Sequence, residues 1–207
     1  MSDRTPTRRA LVLTPAGTAT ADAVTTRLKS AGYRVDAPAA FIEPTGPIDA
    51  FVYDPGLLDG TPTRDAAEQL LTHVAQLTPF LRTPEEGGSR IVVIASRDGL
   101  GWPSRPDLAA QSGALVSAAR SLALQLGRTG TTVNVIAALP PEGSLLREAG
   151  NPENSHLYEP EALTPEPVTA HDIAETAAFF LDPRSGYITG QVLHCCGGAS
   201  LLSSLSV

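Results

Sequence analysis

Cysteine is almost missing from this chain of 207 residues, and the two that occur, Cys195 and Cys196, are neighbours. Adjacent strand residues point to opposite faces, so no internal disulfide is expected and both read as buried thiols. Clustered positive charge is scarce as well. Fifteen Lys and Arg stand against 22 Asp and Glu, a formal charge of -7. Nucleic-acid grooves need grouped basic residues. The one basic patch, Arg4, Arg8 and Arg9, adjoins an N-terminal stretch, 1–7, that is expected to fray. No nucleic-acid partner is therefore expected. An apolar run of about 18 residues is absent, which argues against a membrane partner. The polar, Pro- and Thr-rich start lacks the apolar core of a secretory leader. A cytoplasmic protein is the expectation. His73, His156, His171 and His194 show no ligand spacing, so no metal is expected. "IASRDG" around Ser96 is not a Gly-x-Ser-x-Gly elbow, which argues against acyl-enzyme chemistry.

What is present is a folding pattern. With 42% hydrophobic and 18% charged residues, the chain is long and apolar enough for one domain with a core, read here as 1–207. Strand-like runs at 9–13, 33–37, 48–53, 90–95, 132–138 and 191–196 alternate with helical spacing at 20–31, 65–81, 108–126 and 169–181. Residues 40–42 read as a further strand fragment hemmed in by Pro38, Pro44 and Pro47. "RIVVIA" and "TVNVIAA" are apolar on both faces, as in a covered parallel sheet. Thr169 with Asp172 three residues on is close to a capping box. Residues 141–168 form an acidic, proline-rich lid carrying Glu142, Glu148, Glu153, Glu159, Glu161 and Glu166 against Arg147. The order implies an α/β fold, a doubly wound parallel sheet with helices on both faces.

The texts "GGSRIVVIAS", "SAARSLALQLGRTGTTVNVIA" and "GYITGQVLHCCGG" resemble the strand, helix–strand and terminal segments of the short-chain dehydrogenase/reductase family. The likeness is greatest to its 3-oxoacyl-acyl-carrier-protein reductase and hydroxyacyl-CoA dehydrogenase branch. "ALVLTPAGTATADAVTTRLKSAGYRV" matches the layout of the family's first strand, turn and helix. The resemblance implies a truncated Rossmann-like sheet, because too few residues lie between the second strand and Ile48 for the family's usual helices.

Where the family reads T-G-x-x-x-G-I-G, this chain has Thr14, Pro15, Ala16, Gly17, Thr18, Ala19, Thr20 and Ala21. Pro15, Ala19 and Ala21 replace the three glycines, putting a Cβ where backbone must approach phosphate. Pro15 also removes an N–H. The family's "NNAG" is "YDPG", 53–56, with only Gly56 kept. The catalytic Tyr-x-x-x-Lys aligns on Leu108 and Ser112, and the family serine on Ser96. Leucine cannot exchange a proton, and serine carries no charge to lower a neighbour's pKa. No catalytic set and no cofactor site are therefore expected; Ser96, Leu108 and Ser112, with the Thr14–Ala21 turn, are vestigial positions. Beside Ser96, Arg97 and Asp98 read as a structural ion pair, and Trp102 as an interface aromatic.

The helix 108–126 is apolar nearly all round, which predicts burial against both its sheet and another subunit. The tail 199–207 carries leucines suited to the same role. In the family this helix and the final strand region form subunit interfaces. The resemblance thus implies a catalytically inactive subunit that scaffolds or regulates an active paralogue in a heteromeric oxoacyl/hydroxyacyl dehydrogenase, or that pairs with itself. Two other readings stay open. One is an NAD(P)-dependent oxidoreductase of the 3-oxoacyl-thioester reductase type, with Ser96 or Ser112 as unorthodox acid. The other is a small-molecule sensor using the vacated cleft.

Overall fold

The computed structural model describes residues 8–15, 17–60, 64–101, 105–148 and 162–202. The frayed segment 1–7, Trp102, His156, the lid acids Glu153, Glu159 and Glu161, the Glu148 side chain and the tail from 203 onward lie outside the described residues.

Six parallel strands form one sheet in the order β2-β1-β3-β4-β5-β6: β1 Arg9–Leu13, β2 Arg34–Asp36, β3 Ala50–Tyr53, β4 Arg90–Ser96, β5 Thr132–Ala138 and β6 Val192–Cys195. Strand alternation divides the core into two layers. Ala10, Val12, Val52, Val92 and Ile94 face α1 (Ala19–Ser30) and α5 (Ala170–Leu181). Leu11, Leu13, Phe51, Ile91 and Val93 face α2 (Ala66–Leu77) and α3 (Pro106–Leu126). Every residue of β4 and β5 is buried, as strands covered by helices on both sides must be. Two short helices complete the chain, α4 Leu145–Glu148 and α6 Ala199–Leu202. Among the described residues no helix is long and apolar enough to cross a membrane.

Local chemistry sets the element ends. Thr18 Oγ1 accepts from the Ala21 N–H at 3.1 Å and caps α1. At α5, Thr169 and Asp172 form a reciprocal capping box. α2 is shorter than the 65–81 spacing predicts. It stops at Leu77, and Thr78–Phe80 tighten to a 3-10 turn, because Pro79 has no N–H to continue the helix. The strand fragment expected at 40–42 is irregular loop. The four apolar residues 39–42 between Pro38 and Pro44 find no partner strand there. That loop, 37–47, joins β2 to β3 without a helix, and the Ile48 N–H bonds the Phe80 carbonyl at 2.8 Å.

Helix α3 is buried on one side only within this chain. Ala110, Ala114, Ser117, Ser121 and Leu124 are exposed, so its second apolar face is open.

Gly88 (φ +67°) packs under the turn that leads into β5; a Cβ there would meet the Gly130 carbonyl oxygen at 2.0 Å. Gly88→Ala should lower stability by well over the ~1 kcal/mol cost of the left-handed backbone alone. Gly113, inside α3, would place a Cβ in open space, so Gly113→Ala should raise stability by roughly 0.5–1 kcal/mol. Urea unfolding of the two variants checks the opposed signs.

Candidate functional site

Ligands of open α/β sheets gather at the carboxyl ends of the strands where the winding reverses. Here β1 is that point, with β2 on one side and β3 on the other. In the turn leaving β1, Gly17 holds the left-handed conformation at φ +79°, at a position where the family pattern has no fixed glycine. The rest of the turn is satisfied from within. Thr18 uses its hydroxyl on the helix's own Ala21 N–H, and Ala19 opens α1. Ala21 is buried, and Asp22 adds negative charge in the first turn. Pro15 is half-buried at the rim of a cavity described below.

Of the three positions that align with the family's catalytic residues, Ser96 and Ser112 come together, beside a cavity of about 240 Å³ lined by Ser96, Arg97, Gly99 and His194. Ser96 ends β4, is 1% exposed, and spends its Oγ accepting from the Asp98 N–H at 3.1 Å. Ser112, fully buried in α3, donates its hydroxyl to the Ser96 carbonyl at 2.5 Å. The turn Arg97–Leu100 folds directly over it, since a Cβ on Gly99 would lie 2.8 Å from Ser112 Oγ. Leu108 is half-buried and packs into the α2/α3 core layer. Asp98 is buried beneath this turn, held by Arg105 through Nε at 2.7 Å and Nη2 at 3.3 Å. The sequence pairs Asp98 with its neighbour Arg97; the structure pairs it with Arg105. Successive residues of a tight turn project in different directions, and Arg105, at the start of α3, lies across from the carboxylate.

No tyrosine or lysine stands in for the missing pair among the described residues. Lys29, the one lysine of the chain, is in the last turn of α1, at the far end of the sheet from these positions. Tyr33 and Tyr53 donate their hydroxyls to the Leu181 and Ala66 carbonyls at 2.9 and 3.1 Å, and burial raises both phenols further from ionisation. Tyr187 is fully exposed. Both cysteines are free thiols, Cys196 buried and Cys195 partly so. Among the described residues no group of three or more His, Cys, Asp or Glu is placed to hold a metal.

The functional candidate that the sequence reading missed is Asp54. It follows β3, is 3% exposed, and accepts from the Gly56 N–H at 2.9 Å and from Thr14 Oγ1 at 3.2 Å. Burial pushes its carboxyl up to about 6, and nearby Asp59 adds to the shift. Asp54, Thr14, Pro15, Phe41 and His73 line a cavity of about 510 Å³ between the 37–47 loop and α2. Phe41 stacks on His73 with centroids 4.7 Å apart, and Tyr53 meets His73 edge-on at 6.0 Å. The signal available beforehand was an acid in "YDPG", at the end of a strand buried on both faces.

A raised carboxyl pKa in the folded state means that the neutral form is favoured there. The associated stability is complete below the unfolded value near 3.8 and is lost as pH rises through about 6. Asp54→Asn should therefore match the parent near pH 4 and exceed it at pH 7.5, by on the order of 2–3 kcal/mol. Urea titrations of both proteins across that range read the difference. A constant offset would show that Asp54 does not titrate in this window.

Comparison with known proteins bears on the whole arrangement. The family described as Enoyl-(Acyl carrier protein) reductase matches residues 68–200, more than half of the chain. Over 121 residues the chain is 37% identical to the (2S)-[(R)-hydroxy(phenyl)methyl]succinyl-CoA dehydrogenase subunit BbsD of Thauera aromatica, covering 58% of this chain and 48% of that subunit. The match thus spans about half the length of that relative. Subunit BbsC of the same dehydrogenase is 29% identical over 204 residues, covering 91% of this chain and 78% of BbsC. Levodione reductase shares the fold with a TM-score of 0.70 at 19% identity, over 93% of this chain and 97% of that one. Enoyl-acyl-carrier-protein reductase (NADH) from Aquifex aeolicus VF5 does so with 0.67 at 17%, over 93% and 96%. With the family matched over 68–200, which holds three of the six strands, and the fold shared over 93% of the chain, this chain belongs to the short-chain dehydrogenase/reductase family.

Proposed function

We propose that this protein is a non-catalytic subunit that assembles with an active short-chain dehydrogenase/reductase paralogue and supports it in oxidising or reducing a hydroxyacyl or oxoacyl thioester. The observation that carries the reading is the closed contact of Ser112 with Ser96 under the Gly99 turn. Proton transfer to a substrate oxygen needs an ionisable group within reach and a route to it. Position 108 offers a hydrocarbon side chain, and position 112 a hydroxyl already engaged and sealed from solvent.

The residues around the β1 turn do not fit a dinucleotide either. A pyrophosphate wants free N–H groups and positive charge at the helix start. Thr18 fills that role for α1 itself, Pro15 removes a donor, and the buried carboxyl of Asp54 stands beside Thr14. No step through a nicotinamide is therefore assigned to this chain.

Two observations support assembly. The outer faces of α2 and α3 carry Leu71, Ala110, Ala114 and Leu124 in the open, with Leu124 86% exposed. Burying each of the two leucines in a partner would contribute about 1.5–3 kcal/mol, and the small residues between them let a second helix pair approach closely. Two of the relatives, BbsC and BbsD, are named as subunits of one dehydrogenase. Within such an assembly α3 would brace the partner's equivalent helix, with the face formed by Leu71 and Leu124 making the contact.

The test is calorimetry of the purified chain with NADH and NADPH, alongside co-expression with an intact Tyr-x-x-x-Lys paralogue. No heat up to millimolar nucleotide, with a stable complex that Leu124→Asp dissolves, is the expected result. Micromolar binding of either nucleotide would overturn the proposal and favour an NAD(P)-dependent reductase with an unorthodox acid. A self-associating chain that Leu124→Asp makes monomeric, with no affinity for the paralogue, would replace the heteromer by a homo-oligomer.

A further inference from the structure

The cavity at the winding reversal has walls whose chemistry is specific. Its one ionisable acid, Asp54, is 97% removed from solvent yet spends only two acceptor positions, on Gly56 N–H and Thr14 Oγ1. A carboxylate offers about four. His73 also lines the cavity, and its Nδ1 is buried with no hydrogen-bond partner. Burial holds this imidazole below its ordinary pKa, so it remains neutral and keeps an acceptor nitrogen. Phe41 lies flat against His73, and Tyr53 closes one edge. Among the described residues no lysine or arginine lines the space, and Asp59 lends further negative potential to Asp54. About 510 Å³ is within the range of small-molecule sites.

Taken together, these features exclude a phosphorylated ligand and define its opposite. A phosphate would face a buried carboxylate with no cation to offset it. A flat group rich in N–H donors could lie along the aromatic wall and donate to the spare acceptor positions of Asp54. We propose that this cavity is a binding site for a small planar, phosphate-free ligand bearing an amidine, guanidine or amino-heteroaromatic group, held by Asp54 and the Phe41–His73 stack. The site is independent of the assembly proposed above, which uses the outer faces of α2 and α3, so either can fail without the other.

The position of the 37–47 loop gives the site a way in. Ala39 and Ala40 form part of the wall and are exposed, so a ligand enters past side chains of minimal bulk. The helix absent between β2 and β3 leaves this flank covered by loop alone.

Benzamidine is the probe, with benzoate and AMP as charge-reversed and phosphorylated controls, read by NMR titration of the full chain at pH 7.5. Saturable benzamidine binding is expected, with shifts at Phe41, His73 and Gln69. Asp54→Asn, which can keep the Gly56 contact, should weaken it at least about tenfold, the scale for losing one charged hydrogen bond. Ala40→Trp, at an exposed position, should block binding while leaving the unfolding midpoint unchanged. Benzoate and AMP should not bind or compete. The proposal is overturned by no saturation at millimolar benzamidine, by binding that both variants leave intact, or by AMP competing for the same shifts.

Discussion

Strands β4 and β5 are the constraint around which this fold is arranged. Two runs of seven strand positions, one in each strand, are buried on both faces, and they pair in parallel over their whole length. Parallel neighbours cannot be joined by a hairpin, so each must be followed by a crossover, and apolar side chains on both faces demand helices above and below. Every helix of the longer kind answers that demand: α1 and α5 cover one face, α2 and α3 the other. Removing any of them would expose a continuous apolar surface. The sheet's edge at β2, which a loop and no helix joins to β3, makes a lighter demand. There only three residues, Arg34–Asp36, depend on neighbours, and their side chains are already partly exposed. A shortened fold is therefore tolerable at that edge and nowhere near the centre.

The same constraint separates what the scaffold needs from what a catalytic site needs. The packing role of α3 requires Leu115, Ala119, Leu122 and Leu126, all buried against the sheet. It places no demand on positions 108 and 112 except that they fit beneath the turn after β4. Ser112 fits by bonding the Ser96 carbonyl, and Gly99 fits over Ser112 because it has no Cβ. A lysine at 112 would need its charge solvated or paired, which the closed turn does not permit. Small and neutral groups thus let the turn after β4 pack directly on α3 at Ser112. Asp98, drawn under the same turn, is stabilised by the two-pronged contact with Arg105.

How much of this could be read in advance follows the range of the interaction. The two-sided strands, the capping box of α5 and the ends of most helices are local, and the pattern located them within a residue or two. The stop of α2 was also local, since Pro79 alone ends it, yet helical spacing through Leu81 masked the signal. The strand read at 40–42 failed for a tertiary reason: three apolar residues suffice for a pattern, and only a partner strand makes it real. Asp54 was legible only as an acid at a strand's end, not as a buried one. Its burial and its bond to Thr14 join residues 40 apart in sequence, and nothing in "YDPG" discloses a neighbour that far away.

The crevice at β1 shows that vacating a site differs from erasing it. Winding order fixes a gap between the turn after β1 and the end of β3, because the crossover after β1 runs to β2 on one side and the crossover after β3 runs to β4 on the other. With the glycine turn altered, the gap could have collapsed on apolar side chains. Instead it holds a buried acid with acceptor capacity to spare and an imidazole nitrogen without a partner. Burying such groups is unfavourable unless something satisfies them, and the cheaper outcome of drift would be an apolar residue at either position. The two places differ in degree: the turn packs on Ser112 and leaves about 240 Å³ beside Ser96, whereas the crevice at β1 keeps about 510 Å³ with a buried acid in its wall, which is what gives the second a claim to a present role.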